Sequence, residues 1–414
     1  MDTQIMKPRI LVLTKLFWPD GSGGELATYL IVKNILSKYF NVFIVSGTRK
    51  PEADILRLTN YIHWSVLETR YKPIEWLKLL TNTHWLKKLI KEADIVYIPS
   101  HTLIPVAVVA KYLKSNVKVV LHLHDYQVLT FTSVVLADRR PDVSTDIIVE
   151  YEEHKSLARA LIAGIGHYIN YVNRYALKYV DRVICVSQRQ YEIILKYLPE
   201  LKDRTIVVYN PLPPLLNINK RISNEHVFIY ASGRSYIKGT YMLLKALTRI
   251  KNRKFNIYAT KAYIVKVSLK EKQILEKLNQ MLSVKLIFLD KLPYEEYQRL
   301  HEITWGLLFP SMYEEPLPYV VVESMLMSTI PIAARVGGIP EIVRGTPAEE
   351  YLFAPGNINE FVEKVEMLLS LSKDNLMNIG IRLREHALKL FNEEEIENKI
   401  VNLFESILRQ SNAK

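Results

Sequence analysis

The chain has 414 residues, 49% hydrophobic and 24% charged, with 14 Gly and 19 Pro, a globular balance that excludes a disordered or collagen-like protein. Single cores stop growing near about 250–300 residues, so two domains are expected. One cysteine, Cys185, excludes an intrachain disulfide and a Cys-rich metal site, and fits a reducing compartment. The formal net charge is +12. Residues 1–210 carry 28 Lys/Arg against 20 Asp/Glu, and residues 211–414 carry 27 against 23, so the excess lies in the first half. Such a field suits anionic partners: phosphates, acidic lipid headgroups or nucleic acid. The first apolar run, Ile10–Leu13, soon meets Lys15 and does not read as a secretory signal. The most apolar stretch, Ile98–Ala110, has 13 uncharged residues and is too short to span a bilayer, so a soluble or peripheral protein is expected.

Short β-rich runs alternate with longer helical patterns. In the first half the strand candidates are Arg9–Thr14, Asn41–Ser46, Asp94–Pro99, Val117–His124, Arg182–Ser187 and Thr205–Asn210. Leu26, Tyr29, Leu30, Ile35 and Leu36 fall on one helical face between the first two. A Pro-rich break follows, Asn210–Ser223, and then the pattern restarts. Val227–Ser232, Phe255–Thr260, Val284–Asp290, Trp305–Ser311 and Ile330–Arg335 are the second set of strands. Continuous apolar strands separated by helices predict parallel sheets covered on both faces, here an α/β chain of two similar doubly wound units. Asn392–Gln410 reads as a final amphipathic helix with Ile396, Ile400, Leu403, Phe404 and Ile407 on one stripe. Ligands of such sheets bind outside the carboxyl ends of the strands, and a cleft between two such domains is the expected place for one.

Four turns after strands are candidates for chemistry. In "KLFWPDGSGGELA" (Lys15–Ala27), Gly23 and Gly24 precede a helix start, where backbone amides attract anions. The stretch is neither a dinucleotide fingerprint nor a P-loop, and on its own it reads equally as a plain loop. In "LHLHDYQ", His122 and His124 alternate on one sheet face and Asp125 follows; each histidine reads either as a satisfied structural residue or as a ligand contact. In "YASGRSYIKGTYMLLKAL", Arg234 and Lys238 stand on a Gly turn before a helix, where they are either surface charges or a diphosphate cradle. In "FPSMYEEPLPYVVVESMLMS", Pro316 and Pro318 keep the loop extended, a helix starts near Tyr319, and Glu315 and Glu323 bracket an apolar spacer. Carboxylates beside a buried run are costly without partners, so that stretch asks what arrives there.

Taken together, these turns resemble the GT-B retaining glycosyltransferases of family 4 (glycosyl transferases group 1), over almost the whole chain. The resemblance rests on "FWPDGSGGE", "LHLHD", "DRVICVS", "GRSYIKG", "IFLDKLPYEEYQRLH" and above all "PSMYEEPLPYVVVESM" followed by "GGIPE". It implies two Rossmann-like domains facing across a cleft: residues 1–210 for the acceptor, residues 211–391 for a sugar nucleotide, and residues 392–414 as a helix crossing back to the first domain. It implies that Glu323 accepts hydrogen bonds from ribose hydroxyls and that Glu315 contacts the donor sugar. Backbone amides around Leu317, Pro318, Tyr319 and Val320 would touch sugar and phosphate. Arg234 and Lys238 would neutralise the leaving diphosphate, with help from Gly23 and Gly24, and His124 would face the donor sugar. No metal or other cofactor is implied, and no D-x-D stands in these turns. Departures are the four-residue offset between Arg234 and Lys238, Asp290 in place of a usual Gly, and Pro318 where many members have Gly.

The acceptor is less defined; Asp125 is the candidate contact. Tyr61–Lys91 holds Trp64, Trp76 and Trp85 among Arg70, Lys72, Lys78, Lys87, Lys88 and Lys91, a pattern of either an interfacial helix or an ordinary packed one. The first option gives a lipid-linked acceptor on the cytoplasmic face of a membrane, bound through an anionic surface. The nearest rivals are a sugar-nucleotide epimerase of the same fold, and a non-catalytic nucleic-acid binder suggested by charge alone. The second lacks a basic–aromatic recognition module, so no nucleic-acid partner is expected.

Overall fold

The structure, a computed structural model, describes residues 7–69, 72–232, 235–250, 254–260, 269–280, 284–290 and 292–412. The chain divides into two compact units: Met1–Ser133 with Tyr168–Pro213 and Phe391–Lys414, and Val134–His167 with Pro214–Leu390.

The first unit is built on a seven-stranded sheet. Its strands are β1 (Arg9–Thr14), β2 (Asn41–Ser46), β3 (Asn60–His63), β4 (Ile95–Ile98), β5 (Lys118–Leu123), β6 (Arg182–Cys185) and β7 (Thr205–Val207). They lie in the order β3-β2-β1-β4-β5-β6-β7, all parallel. The β1, β4 and β5 side chains are buried along nearly their whole length, as the apolar runs require. β3 is a finding; its sequence, NYIH, is half polar because it sits at the sheet edge. Glu393–Asn412 forms the last helix. Ile396, Ile400, Leu403, Phe404 and Ile407 are all buried, with the Phe404 ring 5.9 Å from Phe40 and 5.5 Å from Tyr97. Lys38 and Tyr39 hold the same helix through the Glu397 carboxylate, at 2.9 Å each.

The second unit has a six-stranded parallel sheet. It contains β8 (His226–Tyr230), β9 (Phe255–Thr260), β10 (Val284–Leu289), β11 (Gly306–Phe309), β12 (Ile330–Ala334) and β13 (Leu352–Phe353), in the order β10-β9-β8-β11-β12-β13. β13 has only two residues, too few for a period to show in sequence. The Pro-rich break is strapped down from Pro214 onward. Leu216 N donates to Gln298 Oε1, Arg221 N to the Glu302 carbonyl, and the buried Lys220 amine to the carbonyls of His301 and Thr304 and to Thr329 Oγ1. Burial lowers the Lys220 pKa to about 7, since no carboxylate accompanies these neutral acceptors.

One boundary differs from the sequence reading. Residues 134–167, placed above with the first domain, belong to the second unit. Leu136 pairs with Tyr313, Ala137 N donates to the Met312 carbonyl, and Glu314 N to the Val135 carbonyl. Val134, Leu136 and Val149 form a small core with Ile148, Tyr236, Ile237 and Tyr313. These are partners far apart in sequence, and strand–helix alternation carries no signal of them.

The last helix tests this account. Phe404→Ala empties a fully buried ring site between Phe40 and Tyr97. A loss of about 3–5 kcal/mol is expected in denaturant unfolding; a loss under about 1 kcal/mol would mean that the helix is not integral to the first unit.

Candidate active site

In each sheet the strand order reverses direction at one place, between β1 and β4 and between β8 and β11. Turns that leave the carboxyl ends of strands at such a reversal diverge and open a crevice. In the second unit those turns are 231–239, after β8, and 310–318, after β11.

The β8 turn ends at Gly239, which caps the Thr240–Leu247 helix at φ +75°. A Cβ there would lie 1.8 Å from the Pro310 carbonyl oxygen, so only glycine lets the two turns touch. The turn is knitted internally: the Tyr230 hydroxyl is 2.8 Å from Thr240 Oγ1, and Ser235 N donates to that oxygen at 2.9 Å. Met312 N donates to the Ile237 carbonyl at 2.7 Å and so joins the two turns.

This closure brings Lys238 to Glu315. The Lys238 amine donates to Glu315 Oε1 at 2.6 Å, and Ser311 Oγ donates to the same oxygen at 2.9 Å. The amine also lies over the Tyr313 ring, 4.9 Å from its centroid. Glu315 is buried, whereas the Lys238 side chain retains 27% exposure and can reach a ligand. Behind Glu315, Gly338 N donates to its carbonyl at 2.9 Å. Gly337, at φ +52°, passes so close that a Cβ would stand 1.7 Å from that carbonyl oxygen. Glu314 faces the other way, accepting from Gly337 N at 2.6 Å.

Glu323 sits one turn inside the Tyr319–Leu326 helix, whose N-cap is Pro318. Leu317, Pro318 and Tyr319 are buried and Val320 is half-buried. Glu323 is buried and accepts from the Tyr294 hydroxyl at 2.8 Å. Burial raises its pKa to about 7, and the Tyr294 hydrogen bond opposes that rise only in part. Burial, followed by the Glu323 charge, also holds Tyr294, Tyr297 and Tyr319 above the ordinary phenol range. Lys238, Glu315 and Glu323 thus stand on turns and a helix start of one unit. Arg234, expected beside Lys238, lies outside the described residues.

The first unit carries the other expected residues. The loop after β1 ends in a capping box: the Glu25 carboxylate accepts from Ser22 N at 2.7 Å and from Ser22 Oγ at 3.1 Å, and Gly23 opens the Gly23–Ile31 helix. Gly24 lies against His124, where a Cβ would be 3.1 Å from that residue's Cβ. The rings of His122, on β5, and His124, one residue past its end, lie 4.3 Å apart, as their alternation implies. His122 is buried and its Nδ1 is 2.7 Å from the Tyr97 hydroxyl; burial, then the neighbouring His124, holds it well below the usual imidazole value. His122 is therefore structural, and His124 is the more exposed of the two. Asp125 shapes its own loop, accepting from Gln127 N at 2.8 Å.

Of the three tryptophans in Tyr61–Lys91, two are spent on packing. Trp64 is buried and stacks on Trp85 at 4.8 Å, and the buried Trp76 donates to the Thr102 carbonyl at 2.7 Å. This segment is an edge strand, a short 3-10 turn and two helices, Lys72–Thr81 and Thr83–Glu92. Arg70 lies outside the described residues.

Sequence reasoning missed Ser311, Tyr294 and Glu153. Glu153, on the Val143–His154 helix, accepts from Ser235 Oγ at 2.5 Å and from Ile237 N at 3.0 Å. Its carboxylate thus fixes the turn that carries Lys238. No local signal marks it, because its partners lie more than 80 residues away. Glu153→Ala leaves Ile237 N without its acceptor, and a loss of about 1–3 kcal/mol is expected in thermal or denaturant unfolding. An unchanged melting curve would remove Glu153 from this role.

Comparison with known proteins speaks to the family and to the fold. The glycosyltransferase family 4 model matches residues 21–214, and the glycosyl transferases group 1 model matches residues 216–384. An uncharacterised glycosyltransferase of Methanocaldococcus jannaschii is 25% identical over 179 residues, 39% of this chain and 44% of the relative, so the match spans less than half of that protein. Among solved structures, sucrose-phosphate synthase of Thermosynechococcus elongatus aligns with a TM-score of 0.73 at 15% identity, over 97% of this chain and 100% of that one. HepE of Anabaena, in complex with UDP-glucose, aligns with a TM-score of 0.67 at 18% identity, over 96% and 99%. The lipopolysaccharide outer core galactosyltransferase WaaB aligns with a TM-score of 0.60 at 15% identity, over 96% and 99%. At these identities the solved structures speak for the fold, and the two family models, which between them run from residue 21 to residue 384, speak for the lineage. The chain belongs to the GT-B glycosyltransferases of family 4, with a group 1 glycosyl transferase module in its second half.

Proposed function

We propose that this protein transfers a hexose from a UDP- or GDP-sugar to an acceptor hydroxyl on a lipid-linked or membrane-associated glycan, with retention at the anomeric carbon. The observation that carries the reading is the Lys238–Glu315 pair at the reversal point of the second sheet, with Glu323 one helical turn beyond. A leaving nucleoside diphosphate gains negative charge as the glycosidic bond breaks. A partly exposed ammonium held in place by a buried carboxylate is a preorganised counter-charge for it. Lys238, joined by Arg234, neutralises the diphosphate, and no metal is required in that role. Glu315 binds hydroxyls of the donor sugar, and the amides at the start of the Tyr319–Leu326 helix meet the phosphate end. Glu323 accepts from the ribose hydroxyls. In the first unit, Gly23, Gly24 and His124 serve the donor, and Asp125 serves the acceptor. The acceptor hydroxyl attacks on the face that the diphosphate leaves, with Glu315 as a binder and not a nucleophile. That HepE has been solved with UDP-glucose supports a sugar nucleotide as the donor class.

A thermal-shift screen of UDP-, GDP- and ADP-sugars identifies the donor, because a tight ligand stabilises the fold by mass action. No shift with any of them would sink the reading. Lys238→Ala is expected to slow transfer by roughly 10²–10³, with transfer surviving EDTA in the wild type. Full activity in Lys238→Ala would reject the assigned site.

Glu323 gives a pH signature. Its folded pKa, about 7, exceeds the ordinary 4.5, so the folded chain binds more protons than the unfolded one between these values. The cost of its burial is absent below about 4.5 and complete above about 7, so this group's contribution to stability falls as pH rises through that window. Ribose hydroxyls donate to the charged form, so donor affinity is expected to rise over the same window. Glu323→Gln should flatten both profiles, and Glu323→Ala should weaken donor binding by roughly 10–100-fold. A Glu323→Gln profile superimposable on wild type would show that the ribose contact lies elsewhere.

A further inference from the structure

Among the described residues, one side chain holds the Glu323 carboxylate. It is Tyr294, whose hydroxyl donates to Oε1 at 2.8 Å. Tyr294 opens the Tyr294–Leu300 helix, a short way past the end of β10. Pro293 is the N-cap of that helix, and its ring fixes φ at −52° where the chain enters. The helix is also held from its inner side. The buried Gln298 donates to the Pro214 carbonyl at 2.7 Å and accepts from Leu216 N at 2.8 Å. Tyr294 therefore reaches Glu323 from a fixed base, and both residues belong to the second unit.

The other groups around Glu323 leave this contact to act alone. Tyr297, three residues on along the same helix, and Tyr319, at the start of the helix of Glu323, both feel its charge, and both are phenols. The strands packed against that helix, β11 (GLLF) and β12 (IPIAA), contain no ionisable side chain. On the Lys373–Leu390 helix, which packs there too, Arg384 donates to the Leu326 carbonyl and His386 adjoins the Ile342 carbonyl. A cation in the place of Tyr294 would neutralise the carboxylate and compete with a ligand for it. A phenol orients the carboxylate and leaves its charge for incoming hydroxyls. Burial, followed by the Glu323 charge, keeps the Tyr294 proton in place to be donated.

We propose that Tyr294 is the positioning residue of the ribose contact: its hydroxyl holds Glu323 in one orientation, so that a nucleoside meets an acceptor already aimed. The same hydrogen bond favours the carboxylate over the carboxylic acid and partly offsets the cost of burial. This inference rests on the reading of Glu323 as the ribose contact and adds what sets that group.

The test compares the wild type, Tyr294→Phe and Tyr297→Phe as full chains, with UDP and GDP as probes. Unfolding in denaturant is followed without nucleotide across neutral pH, and nucleotide binding is titrated calorimetrically near pH 7 and near pH 9. Tyr294→Phe removes a donor to the charged form, so Glu323 keeps its proton to higher pH. The upper edge of the window over which stability falls should move up by about one pH unit. Nucleotide affinity should drop roughly ten-fold near pH 7. That deficit should shrink near pH 9, where Glu323 is charged in both proteins. Tyr297→Phe loses a buried hydroxyl that has no hydrogen-bond partner, and should match the wild type in both readouts.

The proposal is overturned if the stability window of Tyr294→Phe stays with that of the wild type, or if its affinity loss is equal at the two pH values, as a packing defect would give. It is also overturned if Tyr297→Phe shows the same shifts. Failure of the donor reading looks different: neither nucleotide then binds the wild type, although the stability window of Tyr294→Phe still moves, and the ribose role of Tyr294 is withdrawn with that reading.

Discussion

The site of the second unit depends on two backbone approaches that tolerate no side chain. Gly239 passes the Pro310 carbonyl, and Gly337 passes the Glu315 carbonyl, each closer than any Cβ allows. Both glycines have positive φ, at +75° and +52°, so conformation and space make the same demand. The first approach closes the turn after β8 onto the turn after β11 and sets Lys238 against Glu315. The second pins the Glu315 backbone from behind. The strand order places both turns at the reversal of the sheet, and the glycines decide how near they come.

That approach leaves three buried glutamates within ten residues, each settled differently. Glu314 accepts a backbone amide, so its charge serves the loop. Glu315 accepts from a cation and a hydroxyl on one oxygen, so it is ordered before any ligand arrives. Glu323 faces only a phenol hydroxyl within an apolar surround, and its proton becomes labile near neutrality. Three identical side chains therefore differ in their partners by neighbourhood alone. Lys238 combines partial exposure with a buried counter-charge, which gives it freedom to exchange one anion for another.

Much of this was legible in the sequence because it is local. β1, β2 and β9 begin and end where the apolar runs do, the Tyr319 helix start follows from two prolines, and the stripe of the last helix is buried residue for residue. The misses share one physical cause. β3 and β13 are short edge strands whose pairing, not composition, defines them. Glu153 acts on residues that adjoin it only after folding. Trp64 and Trp76 looked interfacial by composition but are buried by neighbours the sequence does not name. The 157–169 helix shows the converse: periodicity reveals an apolar side, and packing decides whether that side faces the core. Here alanine and glycine take the core and leucine and isoleucine take the solvent.

The chain changes unit four times, after Ser133, His167, Pro213 and Leu390. The assigned donor site is therefore discontinuous in the gene. Its cations and glutamates are encoded downstream of the Pro-rich stretch, while the carboxylate that sets the cation-bearing turn, and the small apolar core beneath it, are encoded upstream. Recombination between relatives at the Pro-rich stretch would thus join a turn to a foreign brace. Exchange of donor preference by descent or by engineering has to move residues 134–167 together with residues 214–390 as one inheritance unit.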